Sequence, residues 1–210
     1  MRIRMLSGIL FCVLLSSVSL AIPSPNVWWD RGDPGATYAE WGFDNGDNPA
    51  APENYDGPDG APAPQATITI TGNSHGSMGW YETDFLGRDG VWHANLTEVS
   101  LEIPNYPLPN EFKEIWVEVG FRGALIDYSI DDPTTGVTYL GHSTEFLPDG
   151  WQVLNIGWQI VPNPASETIY MAFQDSGADL DYVTVDTICV PEPASFVLLA
   201  LGAFALRRRR

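Results

Sequence analysis

The amino-acid sequence predicts an all-β body, an antiparallel two-sheet sandwich of jelly-roll-like form, flanked by two segments outside the fold. Three observations carry that prediction. In residues 97–103 the apolar Val99, Leu101 and Ile103 alternate with Glu98, Ser100 and Glu102, and residues 114–121 repeat the period with Ile115, Val117, Val119 and Phe121. A period of two puts one set on a buried face and the other in water. The apolar runs are short and separated by turn chemistry such as Asp131-Asp132-Pro133 and Pro148-Asp149-Gly150. No stretch of helical length shows a 3.6-residue apolar period, and about nine or ten strands without helices close most readily as a sandwich.

The segments follow in order. Arg2 and Arg4 precede an apolar run over 5–20, and Ser19-Leu20-Ala21 supplies small residues at the −3 and −1 positions of a cleavage site. Residues 1–21 therefore read as a secretory signal peptide, cut after Ala21 and delivered through the Sec export machinery. Cys12 lies in the middle of the apolar run, which does not fit lipoprotein processing. Residues 22–189 are the exported body. Their first part, 22–64, is rich in Pro, Gly and Asp and reads as an irregular arm or loop with strand-like islands at 25–30 and 36–43. Prolines at 49, 52, 58, 62 and 64 would break most regular elements there. Strands are predicted at 66–71, 80–85, 97–103, 114–121, 124–130, 137–140, 151–161, 167–173 and 180–188.

Charge narrows the partners. Outside the two ends, the body keeps Arg31, Arg88, Lys113 and Arg122 against 26 of the 27 acids, a net −22, where the whole chain carries −17. Such a field repels nucleic acid and anionic membranes and attracts cations. The body has one thiol, Cys189, so no disulfide forms within it.

No catalytic motif stands out. His75, His93 and His142 are far apart in unlike contexts, and there is no His-Glu-x-x-His, Cys-x-x-Cys, Gly-x-Ser-x-Gly or phosphate-cradling glycine loop. Carboxylates are so numerous that a glycosidase-type pair can be drawn in many ways, and none is singled out. A non-enzymatic body is the expectation. Asp44, Asn45, Asp47 and Asn48 surround Gly46 with oxygen-bearing side chains, a composition suited to Ca2+, although Asx turns explain the same run. Trp116 falls between the inward Ile115 and Val117, so it is expected on the outer face, where an indole can stack on a sugar ring. Asn95-Leu96-Thr97 matches a glycosylation sequon.

The closing stretch is different in kind. Val190-Pro191-Glu192-Pro193 leads into thirteen apolar or small residues, 194–206, and then Arg207, Arg208, Arg209 and Arg210. Thirteen helical residues span about 20 Å, short of a hydrocarbon core of about 30 Å, so the segment is a marginal membrane anchor. The arginines mark the cytoplasmic side as a topological stop. Motif, apolar run and basic cluster in this order closely resemble the PEP-CTERM sorting signal of exported proteins in Gram-negative bacteria. The resemblance implies an exosortase that recognises Pro191, Glu192 and Pro193, and an inner-membrane-anchored intermediate. It further implies delivery to the cell surface or extracellular matrix. Because that family shares a tail and not an activity, two readings of the body stay open. One is a non-catalytic structural or glycan-binding module among extracellular polysaccharide. The other is a carbohydrate-active enzyme, a glycoside hydrolase or lyase, on the same scaffold.

Overall fold

The computed structural model describes residues 27–58, 60–71, 78–94, 96–105, 111–131 and 136–190. Ala21 and the signal peptide, His75, Asn95, the Pro191-Glu192-Pro193 motif and Arg207, Arg208, Arg209 and Arg210 lie outside these residues. The described chain is β throughout, with no helix. Its strands are β1 (Ala36–Trp41), β2 (Asn54–Asp56), β3 (Gln65–Thr71), β4 (Gly79–Tyr81), β5 (Val91–Ala94), β6 (Leu96–Pro104), β7 (Phe112–Asp131), β8 (Gly136–Phe146), β9 (Gln152–Val161) and β10 (Ser166–Val190).

All ten strands belong to one antiparallel sheet, with the order β2-β1-β10-β7-β9-β8 along its main path. The expected pair of separate sheets is replaced by one sheet that curls. Two long strands cause this. β7 and β10 pair from Thr168 opposite Asp131 to Val190 opposite Phe112, with register shifts near Ala172, Gln174 and Leu180. β6 and β3 join the first part of β10, β5 joins at 178–180, and β1 joins its last part. Extra residues in one strand of a pair bend it and increase its twist. Both halves of the ribbon thus face one core. Ala66, Ile68, Val99, Leu101 and Ile103 share it with Trp41, Leu154, Ile156, Trp158 and Ile160.

Residues 114–121 and 124–130, expected as two strands, are one strand, and 167–173 and 180–188 likewise join. Gly123 has φ +104° and bends a continuing strand where a turn was a natural reading. The 22–64 region also contributes more than an arm. Within it β1 pairs with β10 on one side and β2 on the other. Trp41 and Phe43 are fully buried, and Trp41 Nε1 donates to Ala50 O at 3.1 Å. The proline-rich stretch is held by the Ala50–Ala66 bridge.

Candidate functional site: the open outer face of the curled sheet

Strand phase assembles the candidate site. In β3, β6, β7 and the first part of β10, every second residue enters the core: Ile68, Val99, Leu101, Ile169, Met171 and Phe173 are buried. The intervening residues align in rows on the opposite face, because directly opposed residues of paired strands share a face. Thr67, Ser100, Tyr170 and Ser129 form one row. Thr69, Glu98, Ala172 and Asp127 form the next, and Gln65, Glu102, Thr168 and Asp131 the third. At about 4.8 Å between strands and 3.4 Å per residue, the lattice is about 14 Å on a side.

Tyr170 lies within this lattice and is 43% exposed. An open groove of about 200 Å3 runs beside it, lined by Glu98, Asp127, Ser129, Tyr170, Met171 and Ala172. The arrangement offers one aromatic surface ringed by four carboxylates and several hydroxyls. It can stack on a flat ring and accept or donate hydrogen bonds around it.

The other outer face, over β1, β9, the first part of β7 and the last part of β10, has similar ingredients but is closed. Residues 27–35 cross it. Arg31 donates from Nε and its second terminal nitrogen to the two carboxylate oxygens of Asp186 at 2.6 and 2.7 Å, and its guanidinium lies 4.5 Å over the Tyr38 ring. Asp186 is 0% exposed, so this pairing keeps a desolvated charge matched. Glu118, 2% exposed, accepts from Tyr182 Oη at 2.9 Å. Burial is the main cause that pushes its carboxyl above the usual range, against hydrogen bonds from Tyr182 and Asn155. Trp28 Nε1 donates to Glu114.

Trp116 belongs to this closed face. Its alternation with Ile115 and Val117 is as expected, but it packs with Trp29, Ala36 and Ile188 beneath the crossing segment. Its ring also lies on Gly157 of β9, where an added Cβ would come within 2.6 Å of it. Gly120 is covered in the same way by the Tyr182 ring. Large aromatics over glycines on neighbouring strands fill the space that a side chain would otherwise take.

Three further polar groups lie at the sheet's bends and ends. Asp179 is held between His93 Nδ1 at 2.5 Å and Arg122 at 3.8 Å, and the His93 ring packs against Phe85 and Tyr81. Burial raises the Asp179 carboxyl, against the pull of His93 and Arg122. Asp181 is pushed up to about 6, mainly by burial, although Arg88 donates to it at 3.0 Å. At the core's far end Lys113 is fully buried, donating to Glu167 at 2.5 Å and to Asn105, while Asn105 Nδ2 donates to Glu167 and Pro164 O at 2.7 Å. These sets satisfy buried charges inside the fold. Cys189 is buried nearby, with Sγ 3.8 Å from Asn163 Oδ1.

The four loop residues expected to suit Ca2+ divide. Asn48 accepts from Ile68 N through Oδ1 at 2.9 Å and donates from Nδ2 to Ile68 O at 2.6 Å, fastening the loop to β3. Asn45 Oδ1 accepts from Asp47 N at 2.9 Å in an Asx turn. Asp44 and Asp47 are exposed beside this turn. Among the described residues no three His, Cys, Asp or Glu side chains gather as a metal-ligand group. His142 contacts Tyr139 and Tyr128 on the surface.

The platform around Tyr170 was not among the sequence-derived candidates. Its signal is present in the 167–173 run, where Tyr170 falls out of phase with Ile169, Met171 and Phe173, as a residue bound for the outer face does.

The described residues define an acidic all-β body with one open and one closed outer face, directly preceding a short tail. Residues 190–210 of that tail match the family model of the PEP-CTERM protein-sorting motif. The motif marks an exported protein whose sorting is membrane-linked and carried out by an exosortase. Comparison with curated proteins and with solved structures gives no match.

Proposed function

We propose that the body is a non-catalytic glycan-binding module, displayed at the cell surface or in the extracellular matrix by its sorting tail. The observation that supports this reading is Tyr170, exposed among four carboxylates and several hydroxyls on a sheet face that no other segment covers among the described residues. Stacking on the ring supplies affinity, and the surrounding oxygens give orientation by bonding sugar hydroxyls. The acidic surroundings favour a neutral or amino-bearing polysaccharide over an anionic one.

Affinity electrophoresis of the intact protein through gels containing neutral or amino-sugar polysaccharides tests the proposal. Tyr170→Ala is expected to weaken retention about fivefold, since an aromatic contact contributes on the order of 1 kcal/mol. Retention of Y170A equal to the parent would sink it. A hydrolytic or lyase reading draws on Glu98 and Asp127, which flank Ala172 on opposite sides, roughly 10 Å apart at the backbone by strand spacing. A water-using carboxylate pair needs about 6.5–9.5 Å between its carboxyls. Release of reducing ends, abolished by Glu98→Gln or Asp127→Asn, would favour that enzyme reading over simple binding.

A further inference from the structure

We propose that two copies of this chain associate through β8, pairing edge to edge and antiparallel about a two-fold axis. β8 is the last strand on the sheet's main path. Its residues are exposed except for the half-buried Gly141, on both faces of the strand. At eleven residues it is about twice the usual strand length, and a long, exposed apolar edge is a template for further pairing. Val137, Tyr139, Leu140 and Phe146 are exposed along it, Phe146 to 75%.

The bulge in β8 sets which of its residues share a face. Tyr139 opposes Trp158 and His142 opposes Ile156, with a register shift between Tyr139 and Gly141. The additional residue keeps Val137, Tyr139, His142, Thr144 and Phe146 on one side, the side of the buried Ile156, Trp158 and Ile160. In an antiparallel self-pairing that sets Val137 opposite the copy's Phe146 and leaves Leu140 as the bulged residue of each strand, Tyr139 falls opposite Thr144, Thr138 opposite Glu145, Gly141 opposite Ser143, and His142 opposite its own copy. Each residue of the apolar side then meets one from the same side, so the exposed ledge of one copy is continued by that of the other.

Charge points to the same edge. A body of net −22 repels its copy, and β8 carries one acid, Glu145, and no lysine or arginine. In the stated register the two Glu145 side chains are six residue steps apart, about 20 Å, beyond two Debye lengths at physiological salt. Two copies can meet at β8 with little of that repulsion.

The intact chain in detergent micelles provides the test. With a nitroxide on Ser143→Cys, the register predicts a spin–spin distance within about 15 Å, since position 143 lies two residue steps, about 7 Å along the strands, from its copy. Sedimentation is expected to show a dimer at tens of micromolar. The double variant Tyr139→Lys, Leu140→Lys should sediment as a monomer and lose the short distance while keeping its circular dichroism and Tm. A monomeric parent would overturn the proposal. So would a dimer that survives the double variant, which would assign association to the tail, or β8 occupied by a different protein with no self-distance.

Discussion

The two outer faces of the sheet are made from similar residues, yet one is closed and the other open. Both place carboxylates and a large aromatic in rows across β7 and β10. On the closed face Asp186 and Glu118 are withdrawn from water, and Arg31, Tyr182 and Asn155 answer them. On the open face Glu98, Glu102, Asp127 and Asp131 stay in solvent around Tyr170. What separates the faces is residues 27–35, which cross one and not the other. A buried carboxylate requires a fixed counter-group, whereas an exposed one remains able to bind a ligand.

The largest break in this contrast is expected from Arg31→Met. It leaves Asp186 charged, buried and unpaired, and urea denaturation should show a loss of about 3 kcal/mol. Adding Asp186→Asn should recover most of that loss. If the double variant is as unstable as the single one, the charge pairing is not what closes the face.

Gly157→Ala comes next. The new methyl would press into the Trp116 ring, and an overpacked site of this kind costs about 1–3 kcal/mol. Unchanged Tm would show that the ring moves freely and that Trp116 is not locked.

Glu118→Gln acts through pH. The folded chain holds the Glu118 proton more tightly than the unfolded chain does, so folding is favoured in acid. This contribution falls as the pH rises from the usual carboxylate range through the raised folded value. Stability curves of E118Q should be flatter than the parent's over that interval and higher above it. A parent-like slope in E118Q would remove burial of this charge from the account.

The smallest stability effects belong to the open face. Glu98→Gln and Asp127→Asn should each change stability by no more than about 0.5 kcal/mol, as exposed substitutions usually do, while altering glycan retention. A loss above 1.5 kcal/mol in either would mean the open face is structural after all.

Strand phase was readable from the residues, and so were most strands. Ile115, Val117, Val119 and Phe121 enter the core as their alternation indicates. Continuity was harder. Gly123 and the 174–179 stretch look like turns locally, but β7 and β10 pair with each other on both sides of them. Trp116 shows the other gap between pattern and structure. Alternation assigns a residue to a face and says nothing of what crosses that face, and the partner of Asp186 comes from 155 residues earlier in the chain. Tyr170 carried the same outward phase as Trp116, and no covering segment reaches it among the described residues. The open site was thus readable as a phase, and its openness was not.

β10 ends at Val190, which is also the first residue of the sorting motif. There is no intervening linker between the best-connected strand and the tail. Near that end β10 lies between β1 and β7, Cys189 N donates to Gly35 O at 2.9 Å, and Glu111 N donates to Val190 O at 2.9 Å. A pull on the tail therefore runs along β10 and across its ladder bonds, which stand perpendicular to the strand. Such a load is shared by many bonds in shear and does not peel them one by one. For as long as the tail is held, the body is mechanically a firm anchor point.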